Sequence, residues 1–291
     1  GGPHAEAVAL ALADDSAKGS TAYVTLEPCC HEGRTPPCAD ALIDAGVRRV
    51  VIGVEDPDRH VRGGGIARLQ DAGLDVEVGL CGEAIADQLA PYLKHRLTGR
   101  PWVVLKLAST MDGRTAAPDG SSRWITGPLA RTDAHRLRAE SDAVLVGAGT
   151  VRSDDPALTV RHVEGRQPLR VVLGSVPVDA RVQPALELSG DLEAVLDELG
   201  GRGVIQLLVE GGAGVAHEFH QAGLIDRYVL YLAPALFGGD DARPLFAGPA
   251  AVNVEELWRG RIVSVQQLGS DLRVELAAAG EQGERHVYRD R

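Results

Sequence analysis

Two short runs hold the side chains best suited to gripping a metal. His4-Ala5-Glu6 sets an imidazole and a carboxylate two residues apart, and PCCHEGRTPPC supplies Cys29, Cys30 and Cys38. An imidazole with two thiolates suits Zn²⁺, and three protein ligands leave a tetrahedral metal one position for water, which marks a catalytic site. Cys29 and Cys38 are each expected at or near a helix start, where partial positive charge favours the thiolate. Two thiolates cancel the formal charge of the ion, so activation of the water must lean on a base, and Glu6 is the candidate. The competing reading is a closed site that staples the fold, with Cys30 or His31 as fourth ligand; such a site has no need of a glutamate beside its histidine. Cys30 otherwise reads as a bystander, sensitive to oxidation if it touches the pocket. His31 and Arg34 read either as loop residues reaching a ligand or as solvated ones. Cys81 stands alone and reads as a small buried hydrophobe.

A second run, VEGGAGVAHEF, carries an apolar strand into Gly211, Gly212 and Gly214 and then a helix. Glycines let backbone amides approach a pyrophosphate while the helix N-terminus supplies positive potential. The third glycine of the dinucleotide fingerprint is missing, and a plain strand-to-helix turn is the alternative. His217 and His220 lie three apart on this helix with no third ligand evident, so a polar face is the simpler reading.

His-x-Glu with two cysteines is the pattern of zinc deaminases, in which the glutamate moves protons without binding the metal. Here eight residues separate Cys29 from Cys38, wider than usual. HAE, TLEPC, HEGRTPPC and the following ADALI resemble the deaminase half of the bifunctional riboflavin-biosynthesis deaminase/reductases. LKLASTMDGRTA, SSRWITG and LVGAGTVRSDDPALTVR resemble the reductase half, in the same order, so the resemblance spans almost the whole chain. It implies a cytidine-deaminase-like three-layer α/β domain followed by a dihydrofolate-reductase-like α/β domain. Family members carry several dozen residues before this histidine, so the first domain is expected to be incomplete, with exposed sheet edges and a half-built pocket.

The implied chemistry is hydrolytic deamination of a diaminopyrimidinone ribosyl phosphate, then NADPH-dependent reduction of its ribosyl group to ribityl. His4, Cys29 and Cys38 hold Zn²⁺, and Glu6 passes a proton from water to departing ammonia. Ala108, Trp124, Thr150, Asp154, Ser175, Gly212, Ala213 and Gly214 fall at NADP positions, the last three within a Gly212 to Glu218 segment. Ser122, Arg138, Leu158, Arg161 and Glu210 fall at substrate positions. Arg138 and Arg161 offer planar forks for the ribose 5-phosphate, or else ion pairs. Lys106 and Glu210 suit ring opening and proton management, although a lysine ending a buried strand can merely snorkel. Between Ser175 and Leu192 the chain is shorter than its relatives, which is expected to trim the adenosine side of the cofactor site. Preference for NADP over NAD comes from the resemblance alone, as does a homo-oligomeric state, dimer or tetramer. The alternatives are a reductase-only or non-catalytic assembly protein, and a zinc deaminase of nucleosides or RNA bases.

These motifs need scaffolds, and 291 residues exceed what one core usually organises. The first third alternates helix and strand: helices near His4 to Ala13, Pro37 to Ala45 and GIARLQDAG, and strands TAYVTLEP, RRVVIGV and LDVEVGL. That rhythm predicts a mainly parallel sheet covered by helices. A polar helix from Glu83 to Leu97 closes the unit, so the expected domains are residues 1–99, the deaminase, and 100–291, the reductase. The second begins with the buried strand PWVVLKLAST and a helix from Leu129 to Glu140. It continues with strands AVLVGAG, LRVVLGS, IQLLVEGG and RYVLYLAPAL, and ends in an antiparallel hairpin around Ser270 and Asp271, with the tail GEQGERHVYRDR read as solvated. A net charge of -11 opposes binding to nucleic acid or anionic membrane. No run approaches the roughly 20 apolar residues of a membrane span and no signal pattern opens the chain, so the cytoplasm is the expected location. Met111 is the sole methionine.

Overall fold

Short apolar strands separated by helices can bury themselves only as a parallel sheet with crossover connections, and both halves of the chain do this. The computed structural model describes residues 2–32 and 36–278. Arg34 and the tail GEQGERHVYRDR therefore lie outside the described residues. Two compact units form, Gly1–Thr98 and Gly99–Arg291.

In the first unit, α1 (Ala5–Ala13) leads to β1 (Thr21–Leu26), α2 (Cys38–Asp44), β2 (Arg49–Val54), α3 (Gly64–Asp71), β3 (Asp75–Val78) and α4 (Gly82–Thr98). The three strands are parallel in the order β1-β2-β3, with Ala22 opposite Val50 and Val24 opposite Ile52. RVVIGV is almost continuously apolar because β2 is central and covered on both faces. Val50 and Ile52 pack with Ala39, Leu42 and Leu69 of α2 and α3. On the other face a Cβ at Gly53 would press on the Ile85 side chain of α4 and lie 2.8 Å from the Thr25 carbonyl oxygen, a backbone atom that cannot give way, so glycine is required there. Cys81 departs from expectation: it is exposed, at φ 56, in the turn entering α4. The cause is the strand before it, because β3 is a sheet edge with three of its four residues exposed.

The second unit runs β4 (Trp102–Thr110), β5 (Arg114–Ala116), α5 (Pro128–Glu140), β6 (Ala143–Gly147), α6 (Ala148–Asp154), β7 (Leu169–Leu173) and β8 (Leu186–Leu188). It continues α7 (Leu192–Gly201), β9 (Gln206–Val209), α8 (Ala213–Gln221), β10 (Arg227–Ala233), β11 (Arg243–Pro244), β12 (Gly260–Leu268) and β13 (Asp271–Ala278). Eight strands form one sheet in the order β12-β13-β10-β4-β9-β6-β7-β8, parallel from β10 to β8 and antiparallel at β13 and β12. Alternation along β4 feeds two cores. Val103, Leu105 and Leu107 join Leu199 and Phe219 of α7 and α8, while Val104 joins Leu137 and Val151 of α5 and α6. The short connection after Ser175 still delivers a strand: buried Val182 anchors it, and β8 then pairs with β7.

Candidate functional site

His4 caps α1, Glu6 lies in that helix's first turn, and Cys38 opens α2. Cys29 stands in the coil after β1 and so opens no helix of its own. Its sulfur nonetheless reaches the N-terminus of α2, where it accepts the Cys38 N–H at 3.3 Å. His4 Nδ1 lies 3.2 Å from Cys38 Sγ and 3.6 Å from Cys29 Sγ, and all three donor atoms fall within 4.8 Å of one another. Burial, then the Glu6 carboxylate and Cys29, push the Cys38 thiol well above its ordinary range. A divalent cation among these atoms supplies the missing positive charge, and a coordinating thiol is deprotonated. One nitrogen and two sulfurs at this spacing fit zinc. Cys30 faces elsewhere, with its sulfur 3.7 Å from the His60 carbonyl, and so is no fourth ligand. His31 is exposed at the rim.

Three further residues shape this pocket, and sequence reasoning assigned a role to none of them. Glu27 is buried and accepts four backbone N–H groups: Asp56 (3.2 Å), Gly63 (3.0 Å), Gly65 (2.8 Å) and Ile66 (3.1 Å). It thereby fixes the loop between β2 and α3 beside the segment that carries Cys29. Gly65 comes so close that a Cβ there would lie 2.0 Å from the Pro28 carbonyl oxygen. Asp56 on that loop is buried, desolvation raises its pKa, and Tyr92 Oη donates to its Oδ2 at 2.9 Å. A cavity of about 1120 Å³ is lined by His4, Glu6, Cys29, Asp56 and Tyr92. The acidic pair in GVEDPD was the available signal for Asp56.

In the second unit, the strand-to-helix turn at Gly211 and Gly212 starts α8 beside α6: Gly212 N–H donates to Thr150 Oγ1 at 3.1 Å. Side chains are excluded there, because a Cβ at Gly211 would meet Val215 at 2.6 Å. Thr150, Gly212, Ala213 and Gly214 are thus brought together. Trp124 is 69% exposed, with the Arg131 guanidinium 4.5 Å from its ring centroid. Asp154 is exposed and its carbonyl accepts from Arg123 at 2.8 Å, which ties it to the Trp124 segment. Ala108 is half-buried opposite Tyr231, Ser122 is half-buried in the loop before α5, and Ser175 is exposed beyond β7.

A buried charge cluster lies at the end of β9. Glu210 accepts from Arg138 Nε (2.5 Å) and Nη2 (2.9 Å), and Lys106 Nζ lies 3.8 Å away. Desolvation opposes ionisation of Glu210, but Arg138 and Lys106 overcome it and pull its pKa down to about 2. Burial lowers the pKa of Lys106 against the pull of Glu210. Two expectations change here. Arg138 does not hold its fork open for a phosphate: the fork grips Glu210, and its Nη1 donates to the Thr159 carbonyl at 3.2 Å. Lys106 neither ends its strand nor snorkels, since it sits mid-β4 with its side chain 19% exposed and directed at Glu210. Arg161 is the open fork, exposed, with Nη1 donating to Thr159 Oγ1 at 2.8 Å. Leu158 is 3% exposed at φ 51 and packs in the core, so only its backbone can meet a ligand.

A metal trio with an acidic partner in one unit, and a glycine turn over a buried charge cluster in the other, define a two-site enzyme of deaminase and reductase type. The zinc-binding region of cytidine and deoxycytidylate deaminases matches residues 1–54, and the RibD C-terminal domain matches residues 101–274. The riboflavin biosynthesis protein RibD of Escherichia coli K12 is 40% identical, covering 96% of this chain and 88% of that protein. RibD of Mycobacterium tuberculosis H37Rv is 44% identical, covering 96% and 84%. Among solved structures, Acinetobacter baumannii RibD superposes with a TM-score of 0.89 at 38% identity, covering 96% of this chain and 86% of that one. The Thermotoga maritima diaminohydroxyphosphoribosylaminopyrimidine deaminase/5-amino-6-(5-phosphoribosylamino)uracil reductase does so at 0.84 and 34%, with the same coverage. The chain belongs to the RibD family of riboflavin biosynthesis, bifunctional deaminase/reductases that use zinc and NADPH, and it carries both halves. Among the described residues no helix is long and apolar enough to cross a membrane.

Proposed function

We propose that residues 1–99 deaminate the diaminopyrimidinone ribosyl phosphate and that residues 100–291 reduce the ribosyl group of the product to ribityl. The observation that carries this reading is the His4, Cys29 and Cys38 trio with Glu6 beside it, opening on one cavity. Zinc, when held by the trio, lowers the pKa of a water. Glu6 would take a proton from the water that attacks the amino-bearing carbon and return it to the nitrogen that leaves as ammonia. Asp56, fixed by Tyr92 and by the loop that Glu27 holds, orients the pyrimidine.

In the reductase, NADPH supplies the hydride and the protein supplies placement and charge. The Gly212 to Gly214 turn and Thr150 receive the cofactor, with Ala108, Trp124, Asp154 and Ser175 along its length. Ser122, the Leu158 backbone and Arg161 position the substrate, Arg161 taking its phosphate. Glu210, held as a carboxylate, opposes the loss of charge that burial imposes on Lys106. Lys106 gives its proton to the ring oxygen as it leaves C1 and the ribose opens, so that C1, now double-bonded to the amino nitrogen, can accept the hydride. The exposed Ile262 and Val265 of outer strand β12 favour a homo-oligomer, and reduced cysteines at the metal trio favour the cytoplasm. A substrate panel tests the reading. Ammonia release is expected with the diaminopyrimidinone ribosyl phosphate and not with cytidine or an RNA stem-loop; the reverse preference refutes it.

A further inference from the structure

Arg161 carries the phosphate in the reading above, yet among the described residues its guanidinium makes one bond, to Thr159 Oγ1. Its backbone is held from α5. His135, one turn before Arg138 on that helix, is 6% exposed, and its Nδ1 accepts the Arg161 N–H at 3.2 Å. His162 meets the same ring edge-on, with centroids 4.4 Å apart. One turn later Arg138 donates to the Thr159 carbonyl, so a single helical face grips residues 159 and 161. We propose that His135 is a positioning residue of the reductase's phosphate site, its neutral ring setting the backbone from which Arg161 reaches its ligand.

The role requires Nδ1 to accept, which an imidazolium cannot do. Burial, then Arg138, His162 and Arg161, hold the pKa of His135 down to about 4, against a smaller opposing pull from Glu210. The acceptor therefore persists through the neutral range. A histidine that only filled space would be replaceable by any side chain of similar volume; the hydrogen bond makes the geometry of one acceptor atom matter. Asparagine places an oxygen near the position of Nδ1, and leucine places none.

The test is steady-state NADPH oxidation by the full chain, with the phosphorylated aminouracil substrate and its dephosphorylated counterpart, for His135→Leu, His135→Asn and Arg161→Ala. His135→Leu is expected to raise KM for the phosphorylated substrate about tenfold, the equivalent of one lost hydrogen bond, while kcat and the KM for NADPH hold. The dephosphorylated substrate should not distinguish it from wild type, and His135→Asn should recover most of the loss. An unchanged KM, an equal loss on both substrates, or no recovery with asparagine overturns the proposal. If leucine prevents folding, His135→Asn against His135→Ser carries the same comparison. The inference rests on the phosphate role of Arg161, and the arms separate the two. If Arg161→Ala fails to discriminate between the substrates, that reading falls and takes this one with it; if it discriminates and His135→Leu does not, only the role of His135 falls.

Discussion

Replacing Glu27 with glutamine removes a charge from a site where four backbone donors converge on one carboxylate. Oε2 serves Asp56 and Gly63, and Oε1 serves Gly65 and Ile66. Glutamine keeps one oxygen, so two donors retain an acceptor and two face an amide NH₂ that can only donate. Each buried group left unsatisfied costs about 1–3 kcal/mol, which gives a loss of ~2–6 kcal/mol in the first unit. That is a large share of a typical domain stability of about 5–15 kcal/mol. Because this carboxylate ties the Asp56 loop to the segment bearing Cys29, zinc retention and ammonia release should fall together while NADPH oxidation holds. Amide hydrogen exchange reads the effect site by site. The amides of Asp56, Gly63, Gly65 and Ile66 should exchange at least about tenfold faster, in line with a loss above 1.4 kcal/mol. Unchanged protection at all four, with zinc content intact, would refute the reasoning.

Glu210→Gln should leave Arg138 and Lys106 without their buried counter-charge, lowering the stability of the second unit by about 3–5 kcal/mol in urea unfolding and depressing NADPH oxidation. Ammonia release should survive; a loss under about 1 kcal/mol on the scale of exposed pairs contradicts the burial argument. The same pair sets a pH dependence. With its folded pKa near 2, below the usual 4.5, Glu210 contributes stability that is fully present above 4.5 and is lost as pH falls toward 2. Acid titration followed by tryptophan fluorescence should therefore show wild type converging on Glu210→Gln across that window. Chelation of zinc should abolish ammonia release and leave reduction of supplied aminouracil intact; parallel loss of both would mean the metal serves the whole chain.

The regular elements were legible because each apolar run has one structural outcome. RVVIGV and WVVLKLAST, short and rich in valine, fit buried central strands, and Gly211 marks a turn too tight for a side chain. The metal trio was legible because its ligand types announce themselves. Contacts that join distant segments carried no such sign: Glu27 to the loop at 56–66, Tyr92 to Asp56, and Arg138 to Glu210 across 72 residues. Arg138 and Arg161 look alike in a sequence, and only the position of Glu210 decides which fork is spent on a carboxylate. Cys81 misled for a related reason. A cysteine is usually buried, but β3 is an edge strand and the turn after it faces solvent. The β8 strand was hidden in a connection whose single buried anchor, Val182, has no periodic partner.

The central claim is that one chain joins two independent active sites, each run by its own residues. A paired assay on Glu6→Ala, following ammonia release and NADPH oxidation by the same preparation, tests it most directly. Loss of a general base costs about 10²–10⁴ in rate, so ammonia release should fall at least a hundredfold while reduction of supplied aminouracil proceeds at the wild-type rate. Ammonia released at the wild-type rate, or both activities lost together, would contradict the account.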